Sequence, residues 1–287
     1  MKKYKICKIL LVILAIFLCV AFYELLGICV AYKKQPEVSN TTKKETKNGS
    51  WNECSENTER AVIIEKNPEA LLQRVRLIKN AKKEIILSTF AFQSDESGKL
   101  ILGALHDAAD RGVHVRLLVD GMESWIDMEG NPYFYALSSH ENVEIKLYNK
   151  ANPLKPWKMM GRMHDKYLIA DGKRYILGGR NTYNYFLGDF PGHKNYDRDV
   201  LVVCDEPEKE NSVNQLLEYF ETIWEQEDSG YFHDNKKLAN RKSVKNAVLE
   251  LQNGYQKYFE ENKERICDTD YTDETFETEK IALVSNP

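Results

Sequence analysis

At 287 residues the chain has room for one large α/β domain or two small ones with a sizeable core, and its 43% hydrophobic and 29% charged residues are ordinary for a globular protein. The formal net charge is −4, and residues 35–287 alone hold 34 basic against 43 acidic groups, a net of −9. Such a balance argues against the basic surface that polyanion-binding nucleases present. C-x-x-C, H-E-x-x-H and other clustered metal-ligand spacings do not occur, so no metal and no other cofactor is expected.

In chain order, Ile9 to Ala31 is an apolar run of 23 residues broken only by Glu24, long enough to span a bilayer. Lys2, Lys3, Lys5 and Lys8 precede it, and only Lys33 and Lys34 follow closely. The positive-inside bias therefore puts residues 1–8 in the cytoplasm and the body of the chain outside, on a single-pass cell-membrane anchor over 9–31. A cleaved signal peptide is the rival reading, with Cys29 and Ala31 as its small-residue pair, but the run exceeds the usual apolar region of such signals. Residues 32–58, rich in Lys, Glu, Asn, Thr and Ser, read as a flexible polar tether with Trp51 as its one large apolar residue. Three of the six cysteines lie in or beside the anchor, and Cys54, Cys204 and Cys267 lie beyond it. At most one internal disulfide can form among those three, with Cys54–Cys267 the guess.

The fold is expected over 59–228. Val62–Ile64 suggests a short strand, and Asn67-Pro68 an N-cap and first position for a helix running to about Ala81. Glu84–Phe90 reads as a strand covered on both faces. Asp95 or Ser97 should cap a helix from about Gly98 to Arg111, ended by Gly112. Val113–Val119 is a strand closing in Asp120-Gly121, and a short helix near 132–139 leads to a strand at Val143–Tyr148. This alternation predicts an α/β fold with a mixed, largely parallel sheet flanked by helices, preceded by one transmembrane helix. Ligands of such sheets sit beyond the carboxyl ends of the parallel strands, which nominates Phe90–Asp95, Asp120–Trp125 and the Lys150–Gly161 loop as rim segments. In that loop Pro153, Leu154, Pro156, Trp157, Met159 and Met160 admit two readings, a packed lid or a lip that dips toward acyl chains. Val200–Val203 is a strand, and Asn211–Glu225 is an amphipathic helix. Residues 229–287 read as a helical and acidic connector, with a helix at Val244–Phe259 and a strand beginning at Ile281–Val284.

The most informative stretch is Met163–Asn181. Met163 to Ala170 alternate like a strand, with His164, Lys166 and Leu168 on one face. Asp171-Gly172 is a hairpin signal, and Arg174–Leu177 is the returning strand. A two-residue turn would pair Ala170 with Lys173, set Lys166 opposite Leu177 and His164 opposite Gly179, and leave glycine backbone open to a close-approaching ligand. Histidine and lysine on one face, with Asn181 just beyond, suit a phosphate.

His164-x-Lys166-x4-Asp171 followed by Gly178-Gly179-Arg180-Asn181 resembles the paired motifs of the phospholipase D superfamily, and the Gly-Gly form resembles its bacterial cardiolipin-synthase-type branch. The resemblance implies a metal-free, two-step phosphodiester exchange in which one histidine attacks phosphorus and a second protonates the leaving alcohol and later activates the incoming one. His164 is then the nucleophile, with Lys166 and Asn181 stabilising charge on the non-bridging oxygens. Gly178, Gly179 and Arg180 line the substrate. Asp171 belongs to the motif, yet seven extended residues at ~3.3 Å each separate it from His164 by roughly 23 Å, so it is assigned to the turn. Asp199 is the candidate carboxylate for orienting His164, with Asp197 the runner-up.

Family enzymes bring two such motifs together about a pseudo-twofold axis, and this chain carries one. His106, His114, His140, His193 and His233 lack a lysine two residues later and read as surface or core histidines. A second motif-bearing half is therefore expected, from a homodimer partner or from a further segment, the stop at Pro287 on an apparent strand start favouring the latter. The leading expectation is phosphatidyl transfer on phospholipids at a membrane, with no nucleic acid. The alternatives are phospholipase or nuclease hydrolysis, and an inactive half that binds lipid headgroups.

Overall fold

The computed structural model describes residues 2–33, 43, 59–158, 160–204, 211–233, 235–279 and 281–283. Trp51, Cys54, Met159 and Val284 lie outside that set; Cys267 carries an exposed free thiol.

The apolar run lies within a helix, α1 (Lys2–Lys33). It is the one helix among the described residues long and apolar enough to cross a membrane. Among the described residues the body is a nine-stranded mixed sheet. Its parallel part is β2 (Glu84–Thr89), β3 (His114–Asp120) and β4 (Val143–Tyr148). Between β1 (Glu59–Ile64) and β2 runs α2 (Asn67–Asn80), and α3 (Glu96–Asp110) makes the crossover from β2 to β3. Two short helices, α4 (Gly121–Asp127) and α5 (Pro132–Ser138), lead from β3 to β4. Against β2 the sheet turns antiparallel, through β5 (Tyr167–Ala170), β6 (Arg174–Gly178), β7 (Asp199–Cys204) and then β1. A further helix, α6 (Ser212–Trp224), follows β7.

Side-chain alternation divides the core in two, as a sheet with covered faces requires. Ile85, Leu87, Leu168, Ile176 and Leu201 face α2 and α3, while Ile86, Tyr167, Ile169 and Val202 face α6 through Leu216, Phe220 and Trp224.

Residues 229–279 do not form a separate connector. β8 (Ser229–Tyr231) extends the sheet beyond β4, and β9 (Phe276–Glu277) extends it beyond β1. α7 (Lys242–Glu261) buries Val244, Ala247, Leu251 and Tyr255 in the same core as α3, and α8 (Lys263–Cys267) adds Ile266. Polar and acidic composition hid this, because the buried positions recur only once per helical turn. No strand forms over residues 281–283, where Ile281 and Leu283 instead pack toward the α6 face.

One local signal differed and another settled an open choice. Lys66, not Asn67, occupies the N-cap of α2, because the Asn67 side chain is engaged elsewhere, donating to the Asn195 carbonyl and accepting from Arg180. Asp95 is the cap of α3, accepting from the Gly98 amide.

Candidate active site

The carboxyl ends of β2, β3 and β4 share one edge of the sheet with the start of β5 and the end of β6, and the candidate residues collect there. The hairpin turn holds three residues rather than two, so Ala170 pairs with Arg174. Asp171 and Gly172 both adopt positive φ, 55° and 62°, which fixes that turn. The register therefore moves by one from the expected pairing, and the Gly178 amide donates to the Lys166 carbonyl at 3.1 Å. Residues 161–166 are irregular, and only Tyr167–Ala170 are strand.

Three of the expected residues meet around Phe90, which directly follows β2 and which sequence reasoning treated as a strand end and part of a rim. The His164 ring lies edge-on to the Phe90 ring at 4.7 Å between centroids. Lys166 Nζ is 5.3 Å from the same ring centre. Ala91, the next residue, donates its amide to Asn181 Oδ1 at 3.2 Å, turning the Asn181 amide nitrogen away from the backbone. Parallel bridging of Phe92 to Thr182, with the Gln93 amide on the Thr182 carbonyl, stitches the post-motif strand segment to the end of β2.

Lys166 is only 6% exposed, and its ammonium donates to the His164 carbonyl at 2.7 Å without an ion pair among the described residues. Burial pulls its pKa below the ordinary value, opposed by the charges of Asp165 and Asp197. His164 is exposed, and no described residue hydrogen-bonds its ring. Desolvation, followed by the nearby Lys166 charge, holds the imidazole below its usual 6.5 and hence neutral near pH 7. A neutral imidazole is a nucleophile, and a buried ammonium beside it is a preorganised partner for an anion.

Arg162 was also missed. Its guanidinium lies 5.0 Å over Phe90 and is held by Asp120, which also accepts from the Met163 amide. Asp120, 1% exposed, caps α4 as well, so one carboxylate fixes the chain just before His164.

The remaining expected site residues stand elsewhere or do other work. Arg180 does not line an open substrate site: it is 1% exposed, donating to Asn67 Oδ1 and the carbonyls of Ile64, Glu65 and Asp197. Asp199 does not contact His164. Its Oδ2 is shared by Arg74 at 2.9 Å and Arg180 at 3.2 Å, while its buried Oδ1 has no hydrogen bond. Gly178 and Gly179 do not open backbone to a ligand either. A Cβ on either would sit 2.0 Å from a carboxylate oxygen, of Asp199 and Asp197 respectively, so the glycines make room for those acids. From this segment it is the Asp197 charge, after that of Asp165, that favours the Lys166 ammonium. Asp171 stands at the opposite end of the hairpin, where its carboxylate accepts from the amides of Lys82, Lys83 and Glu84. Of the other histidines, His106, His114, His140 and His233 pair with carboxylates, and His193 packs on Tyr185.

A neutral histidine, a buried lysine without an ion pair among the described residues and an asparagine amide at one sheet edge are equipment for phosphodiester chemistry. Residues 74–224 match the family described as "Cardiolipin synthase, PLD-like domain", more than half of the chain, and the chain belongs to that family. Its curated relatives include an uncharacterized protein of Helicobacter pylori strain J99, 31% identical over 212 residues that cover 69% of this chain and 39% of the relative. Cardiolipin synthase C of Escherichia coli K12 is 29% identical over 171 residues, covering 55% of this chain and 34% of the relative. The chain thus spans about two fifths or less of the length of these relatives. Among solved structures, phosphatidylserine synthase of Haemophilus influenzae Rd KW20 aligns with a TM-score of 0.49 at 18% identity, over 77% of this chain and 48% of that one.

Proposed function

We propose that the chain is a membrane-anchored enzyme of phospholipase D type that transfers a phosphatidyl group from one phospholipid to an alcohol or a second phospholipid, through a phosphohistidine on His164. The observation that carries this reading is Lys166, a buried ammonium with no ion pair among the described residues, beside an imidazole that is neutral near pH 7. A phosphodiester group at that edge supplies the missing negative charge, whereas a purely structural lysine would be expected to carry its own carboxylate.

In the first half-reaction a His164 nitrogen attacks phosphorus and the P–O bond to the leaving alcohol breaks, with Lys166 and the Asn181 amide bearing the charge that develops on the non-bridging oxygens. The leaving oxygen takes a proton from a second imidazole. That group belongs to another motif-bearing half, in a second copy of the chain or in a further segment. In the second half-reaction this base deprotonates the incoming hydroxyl, which attacks the phosphohistidine and restores His164. Lipid rather than nucleic acid is favoured by the apolar α1, by the acidic body and by relatives named for cardiolipin synthesis. With four lysines before the apolar run, α1 is oriented with its N-terminus in the cytoplasm and the site outside.

Lipid product analysis tests the reading. Membranes containing the chain and labelled phosphatidylglycerol should yield a diphosphatidyl product or released headgroup, lost in His164→Ala. Unchanged turnover in that variant, or DNA hydrolysis without lipid turnover, would overturn it.

A further inference from the structure

The apolar rim beside the site has no part in the chemistry above. α4 presents Trp125 and Ile126, 65% and 69% exposed, and the 150–161 loop presents Leu154 and Trp157, 78% and 45% exposed. Patches of this kind on a folded domain mark an interaction surface.

Two contacts say which surface. The Tyr23 hydroxyl of α1 donates to the Leu154 carbonyl at 2.9 Å. One turn further on, Gly27 is buried so closely under Pro156 that a Cβ there would stand 2.3 Å from Pro156 Cγ. Tyr23 precedes Ala31, the end of the apolar run, by eight residues, about 12 Å at ~1.5 Å per residue. Where α1 crosses a bilayer, a loop touching both Tyr23 and Gly27 lies at the depth of the outer acyl chains. Lys150 and the exposed Lys155 flank the patch and suit anionic headgroups.

Between α1 and this rim is a cavity of about 640 Å³, walled mainly by apolar atoms of Ile28, Met122, Trp125 and Leu147, with Glu24, Glu129 and Lys150 as its charged members. Glu24, the one charge within the apolar run, therefore borders a protein cavity instead of lying wholly among lipid tails, as an ionisable group in a spanning helix requires. The cavity also adjoins the chemistry. α4 starts directly after Asp120, the residue that holds Arg162 and the Met163 amide just before His164.

We infer that the 150–161 loop and the α4 turn are seated in the lipid interface and that the cavity between them and α1 receives one acyl chain of a phospholipid, bringing its headgroup to the His164 edge. The inference rests on the reading of α1 as a spanning helix and deepens the proposed lipid activity. The bilayer is the occupant because the patch is continuous with the apolar surface of α1.

The test uses the full chain in vesicles of phosphatidylcholine and phosphatidylglycerol with brominated acyl chains, in variants that each keep a single tryptophan. Emission from Trp125 and Trp157 should be quenched, and emission from Trp224, which is buried in the core, should not. Absence of quenching at both rim positions would overturn the seating. Phosphatidylglycerol with a photoactivatable group at its acyl terminus should then label residues 121–129 and 147–153. Met122→Phe should abolish that label while Trp157 quenching persists, which also shows the variant is folded. Label confined to α1, or unaffected by the filled cavity, would overturn the acyl site. Neither readout needs turnover, so quenching and labelling in a protein without lipid activity would sink the proposed reaction and leave this inference standing.

Discussion

Lys166 and Arg180 flank the same end of the motif hairpin, both are almost fully buried cations, and the fold treats them in opposite ways. Arg180 meets the Asp199 carboxylate, the Asn67 side chain and three backbone carbonyls, and Arg74 joins it on the same acid. Among the described residues Lys166 meets one carbonyl, that of His164. Desolvating a charge is expensive, so a buried cation that is saturated belongs to the structure, and one left short of partners waits for a ligand. On the proposed reading, two neighbouring parts of one motif are divided between architecture and chemistry, though the sequence assigned both to the site, Lys166 to the developing charge and Arg180 to the substrate.

That division can be broken in order of size. His164→Ala should abolish turnover with no loss of thermal stability, since the ring is exposed and makes no hydrogen bond to described residues; a lowered melting temperature would return it to the structural side. Arg180→Met should lower unfolding free energy by about 3–5 kcal/mol in urea titration, because it strips one partner from a buried ion pair. Lys166→Met should do the reverse, lowering kcat by about 10²–10³-fold while leaving stability unchanged or raised. If Lys166→Met destabilises as much as Arg180→Met, the contrast fails. Asp171→Ala removes the acceptor for three amides at the α2–β2 connection and should cost about 1–3 kcal/mol of stability, with kcat per folded molecule unchanged.

Much of this was legible beforehand, for physical reasons. The β2–α3–β3 and β3–β4 units follow from apolar runs, caps and glycine stops that act within a few residues. His164, Lys166 and Asn181 share an edge because the β5–β6 hairpin brings the segments that flank it to the same end. The assignment of Asp171 to the turn needed only the length of a strand. What sequence could not supply was partnership across long separations. Arg74 reaches Asp199 from α2, Asp120 reaches Arg162 from β3, and Phe90 lies under His164 from β2. The expected role of Asp199 failed for the same reason, since its arginine partners sit 125 and 19 positions away. The one-residue register shift had a local cause, a third turn residue admitted by Asp171 at positive φ, which Asp tolerates better than most residues.

The smallest effect is the sharpest on the division itself, because it reads the coupling between His164 and Lys166 directly. As the proposed nucleophile His164 must be neutral to attack, so activity should fall as pH drops through its pKa, and that acid limb should lie below 6.5 because burial and the Lys166 charge both disfavour the imidazolium. Removing the charge in Lys166→Met should move the limb upward. It should stop short of 6.5, since burial is the larger cause and remains. The same sign appears in stability: a histidine that resists protonation when folded binds fewer protons than the unfolded chain, so stability declines as pH falls through 6.5, and His164→Ala should flatten that decline. Arg180→Met supplies the control. Its guanidinium is already neutralised by Asp199, so its loss should weaken the fold at every pH without displacing the limb. A limb that moves equally in both variants would mean that His164 responds to the general field of the edge and not to Lys166.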